Sequence, residues 1–282
     1  MRSVPREAGA PAAQGDGNPA ALPLAALSHA PWLAPIAVMS GAIASGAVPS
    51  RPDWPLPLAM ATLLALAWVA LWRAVAGVDW SASLAAWWGW SEGAPVGVLP
   101  YAQPGSDAVY LSHRLGQLRS WLGRDFLPRH GNLLLAGATA VAVAVVLSAA
   151  LGPPAILLTI AVACIAQLAV VACRGNGRPN GLLMGATTAG LPTLLGCAIF
   201  APISPAIALV SAAAAAAFAG VRDGSPALRH AGYALAVLTS LTAREPVAAF
   251  IWAILWAPQL ILGGRHGGYG WLGAGLLLFA LV

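Results

Sequence analysis

The chain alternates long apolar runs with short polar breaks. Nine such runs can be drawn, at roughly 24–48, 56–76, 132–151, 154–173, 181–200, 203–220, 229–243, 246–264 and 268–282. About 20 apolar residues make one helical crossing of a bilayer. The pattern therefore predicts an all-α polytopic membrane protein with nine transmembrane helices, the seventh and ninth short. Residues 1–22 are rich in Pro, Gly and Ala and have no apolar core, which predicts a disordered tail. The first apolar run lies too far from Arg2 and Arg6, and leads too directly into further runs, to read as a secretory signal. The bundle is then residues 23–282, interrupted by one long polar stretch, 77–131.

Composition agrees with the pattern. Hydrophobic residues make up 59% of the chain and charged residues 8%, against roughly 25% charged in soluble domains. Arginine supplies all of the basic residues. Placed on nine spans, twelve arginines fall on one side (Arg2, Arg6, Arg73, Arg114, Arg119, Arg124, Arg129, Arg174, Arg178, Arg222, Arg229 and Arg265) and two, Arg51 and Arg244, on the other. By the positive-inside rule this predicts a bacterial cytoplasmic membrane protein with its N-terminus inside. Dropping or adding an early span would scramble the split. The basic character thus reports membrane orientation and not nucleic-acid binding.

The stretch 77–131 becomes a cytoplasmic cap. Its first part, DWSASLAAWWGW, gathers Trp80, Trp87, Trp88 and Trp90. Tryptophan suits a membrane interface, where the ring is apolar and the N–H finds a partner; stacking on a pigment or quinone is the alternative. In its second part Leu111, Leu115, Leu118, Leu122 and Phe126 recur at helical spacing while Arg114, Arg119, Arg124 and Arg129 project elsewhere. That predicts a basic amphipathic helix at the surface, attracted to anionic lipid or presenting Arg to a phosphate entering the bundle.

Within the fifth run, NGLLMGATTAGLPTLLG carries Gly185, Thr187, Thr188, Gly190 and Pro192 where a lipid-facing helix needs none of them. Small residues permit close helix approach. Proline removes a backbone hydrogen bond that neighbours must make good. The polar side of this helix is expected to face the protein interior.

The order of Leu127–Pro128, Gly131, Arg174, Pro179–Asn180, Gly185, Gly190, Pro192 and Gly196, with SHAPW near the start, resembles the UbiA superfamily of membrane prenyltransferases. The resemblance implies a nine-helix bundle around a central cavity. It also implies a prenyl diphosphate substrate, Mg²⁺, and transfer of the prenyl group to an aromatic or lipid acceptor. Members of the family hold Mg²⁺ between two aspartate-rich motifs, ending the second and sixth spans. At those places this chain offers Asp79 and Asp223 alone, as the expected catalytic and metal-ligating residues. Arg124, Arg129, Arg174, Arg222, Asn180, Thr187 and Thr188 are the expected substrate-binding residues.

Other readings stand beside it. One is a non-catalytic homologue holding a prenyl lipid, quinone or pigment within a larger membrane complex. Another is a transporter of an amphipathic anion, although no inverted repeat or intramembrane charge pair is visible. Cys164, Cys173 and Cys197 have no paired spacing and read as small buried residues. The histidines, His29, His113, His130, His230 and His266, fall at span ends, where interfacial placement is expected and not haem ligation.

Overall fold

A computed structural model describes residues 32–47, 52–76, 78–97, 105–172, 180–261 and 268–280. The expected tail at 1–22, Arg174, His29 and the SHAP opening lie outside them. The described residues form helices α1 (Leu33–Ala44), α2 (Pro55–Ala76), α3 (Trp80–Trp88), α4 (Asp107–Trp121), α5 (Leu127–Leu151), α6 (Pro153–Ala172), α7 (Gly181–Ala198), α8 (Pro205–Arg222), α9 (Pro226–Thr242), α10 (Pro246–Ile261) and α11 (Gly268–Ala280). No strand occurs among them. Within the described residues, the expected apolar runs overlap these helices, the first only over Leu33–Ala44. By length and composition, five runs among the described residues are long and apolar enough to cross a membrane, and they contain α2, α5, α6, α7 and α8. Helices α1, α10 and α11 are shorter but equally apolar. The protein is all-α, and its apolar helices mark it as membrane-embedded.

Helix starts follow local chemistry. Ser204 and Ser225 cap α8 and α9, each accepting a backbone N–H three residues on and each followed by a proline at the first helical position. Asp79 caps α3 through Ala82 N, and Asn180 caps α7 through Leu182 N at 2.8 Å. Between α5 and α6 the turn is Gly152 alone, at φ +96°, followed by Pro153 and Pro154. A side chain at that φ would be strained.

Helices α5 and α6 pack mostly through small residues and turn bulky ones outward, the arrangement expected where the surroundings are hydrocarbon. On α5 the buried positions are Ala140, Ala144 and Ser148, while Leu135, Val145 and Val146 are exposed; on α6, Leu157, Ile160 and Leu168 point out. Two clusters form the interior. One joins Val38 of α1 with Leu64 and Trp68 of α2, Ala144, Val162 and Leu195. The other joins Leu33 and Ala37 of α1 with Val210 and Phe218 of α8, Tyr233 of α9, Trp252 of α10 and Leu276 of α11. Adjoining faces of α1 thus enter both. Trp68 is fully buried and donates its indole N–H to Thr159 Oγ1 at 3.2 Å, linking α2 to α6.

Helix α7 lies between α1 and α8, and this is what its glycines face. A Cβ on Gly196 would strike the backbone carbonyl of Val38, and one on Gly41 the carbonyl of Thr193. On the other side Gly185 rests on Ala215 and Gly190 on Ser211. The middle of α7, Ala186–Gly190, is π-helical, with Leu191 N bonded to Ala186 O. Such segments leave carbonyls to be satisfied from outside the ladder. Here the Ser211 hydroxyl donates to Gly190 O at 2.6 Å and the Thr193 hydroxyl to Ala189 O at 2.9 Å. Ser211→Ala is expected to lower stability by about 0.5–2 kcal/mol, the range of buried polar contacts in membrane bundles. The midpoint of detergent-induced unfolding, measured against Ala212→Gly, checks it.

Candidate functional site

Pairing of α7 with α8 is antiparallel: Gly181 meets Asp223, Gly185 meets Ala215, and Gly190 meets Ser211. Pairing of α8 with α9 is antiparallel too, with Gly220 against the backbone of Arg229 and Gly232 against Ala217. Helix α11 starts at the same end, where Gly268 rests on Val221. These contacts bring together one end of four helices, and with it Asn180, Arg222, Asp223, Arg229 and Tyr269.

Asp223 ends α8, with its carboxylate packed against the Cα of Gly181 at the start of α7. Tyr269, at the start of α11, belongs to the same end, and its ring packs on Phe218 with centroids 5.2 Å apart. Next to them Arg229 sits in the first turns of α9, where a cation opposes the helix dipole. It is 6% exposed, its Nε is buried without a hydrogen-bond partner, and no carboxylate ion-pairs with it among the described residues. A buried guanidinium with no ion-pair partner is costly to hold there. His230 follows and accepts the Trp256 indole N–H at 2.9 Å. The Tyr233 hydroxyl and Trp252 Nε1 farther along the α9–α10 interface, and Gln259 Oε1 toward the other end of α10, are also buried without partners among the described residues. Sequence reasoning placed Arg229 only in the charge split. Its signal was available: an arginine one helical turn inside a Ser-Pro helix start, with no acidic residue between Asp223 and Glu245.

The other expected residues go elsewhere. Thr187 and Thr188 are buried, as their side of α7 was expected to be; Thr187 donates to Met184 O at 2.9 Å, and the Thr188 hydroxyl has no partner. Neither lines the two larger cavities described here. One, of about 490 Å³, is a lateral groove between α2 and α5 including Ala67, Asn132 and Thr139. The second, of about 550 Å³, lies in the cap. Asp79 takes the Ser81 hydroxyl at 2.6 Å as well as Ala82 N at 3.0 Å. Arg124 Nη1 lies 3.3 Å from Glu92, and Arg129 Nη2 lies 2.7 Å from Asp125.

Asp79 and Asp223 therefore cap and pack helix ends. Among the described residues neither belongs to a cluster of three or more His, Cys, Asp or Glu side chains. Hard cations such as Mg²⁺ want several oxygen ligands in near-octahedral array, and this donor set does not fit a protein-built Mg²⁺ site.

The cap tryptophans meet aromatic neighbours. Trp80 stacks on Phe126 and His130, Trp121 on Phe126 at 4.6 Å, and Trp87 on Trp88 at 5.0 Å. Helices α4 and α5 are joined without a break by the π-helical Leu122–Phe126 into one run of 45 residues. On α4, Ser112 and Gly116 face inward, and Leu111 and Leu115 face out.

Compared with protein-family models, with curated proteins and with solved structures, the chain has no match in any of the three.

Proposed function

We propose that this protein binds the anionic head of an isoprenoid-tailed lipid at the shared end of α7, α8, α9 and α11, and does so without itself transferring the prenyl group. The observation that carries the reading is Arg229, a buried guanidinium with no acidic partner among the described residues. An incoming phosphate would supply the missing charge, and guanidinium geometry suits it. Arg222 and Tyr269 stand beside Arg229 at the same end. The ordered likeness to the UbiA superfamily supplies the tail chemistry. The distribution of arginines favours this end as the cytoplasmic face of a bacterial inner membrane, with nine spans.

Prenyl transfer is the second reading, and Asp223 is the residue that favours it, since it lies beside Arg222 and against the start of α7. The two are separated by purifying the full chain in mild detergent, identifying copurifying lipids by native mass spectrometry, and supplying labelled prenyl diphosphates with Mg²⁺. Retention of an anionic isoprenoid lipid, lost in Arg229→Gln and partly restored in Arg229→Lys, with no product formed, is the expected result. Product formation abolished by Asp223→Asn would replace binding with catalysis.

A further inference from the structure

The cap contains a second basic site that shares no residue with the Arg229 end. Residues 92–97 fold across α4 and are fastened there by backbone. Val96 N donates to Ser112 O at 3.2 Å, and the Ser112 hydroxyl donates back to Val96 O at 2.6 Å. Gly93, at φ +142°, lies on the Gly116 carbonyl, and Gly116 lies under the Ala94 carbonyl. A side chain at either glycine would push the strap away. Beside the strap and the helix opens a groove of about 550 Å³, lined by Gly93, Pro95, Arg119, Ser120, Gly123 and Arg124 among others.

Its polar groups are unevenly matched. Among the described residues, two guanidiniums line it and no carboxylate does. Glu92, outside the lining, pairs with Arg124 at 3.3 Å, but both side chains are more than half exposed, and such a pair contributes little. Arg119 has no acidic partner among the described residues. The Ser120 hydroxyl is buried without any hydrogen-bond partner, although a helical serine commonly bonds the carbonyl four residues back.

We propose that this cap cavity binds a phosphate-bearing group, with Arg119 and Arg124 on its oxygens, Ser120 donating its hydroxyl, and Glu92 displaced from Arg124 when the group enters. Guanidinium forks and a hydroxyl are the donors that phosphate oxygens take, and the volume falls within the range of small-ligand sites. The phosphate can belong to a soluble metabolite or to a lipid head group.

The test uses the full chain in phosphatidylcholine nanodiscs. One arm titrates glycerol 3-phosphate by calorimetry; the other replaces part of the phosphatidylcholine by phosphatidic acid. Both read hydrogen exchange at 93–97 and 116–124. Protection in the first arm assigns a soluble phosphate, and protection in the second a head group. Affinity should fall on the order of tenfold or more in R119Q/R124Q, fall less in S120A, rise in E92Q, and stay unchanged in R114Q, whose arginine lies on the same helix outside the cavity. S120A retains every charge, so it decides the matter if the double variant does not fold. Absence of protection in both arms would overturn the proposal. So would R114Q weakening binding as much as R119Q/R124Q, because the effect would then be one of net charge.

Discussion

Gly196→Val should leave almost no folded protein to purify. The Cβ it introduces would overlap the Val38 carbonyl and lie 2.9 Å from Ala42 N, so both obstructing groups are backbone of α1. Side chains in a core can change rotamer to admit a methyl group, at roughly 1–3 kcal/mol. A helix backbone can only move as a whole. Moving α1 off α7 would also open its contacts with α11, including the hydrogen bond from the Ser40 hydroxyl to Leu276 O. The expected loss exceeds about 4 kcal/mol, which is large against typical total stability. Gly41→Val should do the same from the other side, since it meets the Thr193 backbone. Gly270→Ala is the control: it sits in α11, a Cβ there meets nothing, and the substitution should be neutral or mildly stabilising. Yield of monodisperse protein and the thermal midpoint in detergent distinguish them. Equal yields for Gly196→Val and Gly270→Ala would mean that α1 and α7 do not cross as described.

Arg229→Leu should have the opposite sign in the lipid-free protein. Holding an uncompensated ion out of water costs several kcal/mol, and replacing it by an apolar side chain removes that cost. The Nε of Arg229 is buried without a partner, and the residue is 6% exposed, so the gain in delipidated protein is expected at about 1–4 kcal/mol. The same variant should lose the stabilisation that bound anionic lipid gives the wild type, about 2.7 kcal/mol at a lipid concentration one hundred times the dissociation constant. The wild type should therefore be the less stable protein without lipid and gain on lipid that the variant cannot match. Thermal unfolding of both forms, before and after lipid addition, reads this directly. If Arg229→Leu is destabilised without lipid, the guanidinium is a structural member of the bundle and the binding reading fails.

The helices were legible because hydrophobic period and length depend only on residue type. The run at 181–200 corresponds to α7, Gly181–Ala198, and the run at 132–151 ends with α5 at Leu151. The Asp79 cap was legible as well, in a DWSA start whose aspartate has a backbone N–H three residues on. What a single sequence cannot display is pairing across the chain. Nothing near Asp223 announces that its carboxylate packs on Gly181, and nothing near Arg124 announces Glu92. The π-helical segments at Leu122–Phe126 and Ala186–Gly190 are equally invisible, because one extra residue in a turn leaves an apolar pattern almost unchanged. Pro192 and the flanking glycines located the second of these only as a place where the ladder is interrupted.

The double role of α1 bears on how the protein is made. Its partners α7 and α11 come late in the chain, and the Ser40–Leu276 bond spans 236 residues. At roughly 5–20 residues per second, synthesis of that interval takes on the order of ten to fifty seconds. α1 has α2 for company early, its glycine-bearing crossing face waits for α7, and its contact with α11 waits for the whole interval. The first helix among the described residues is thus among the last to reach its final neighbours. Biogenesis must therefore tolerate a long-lived, incompletely packed intermediate.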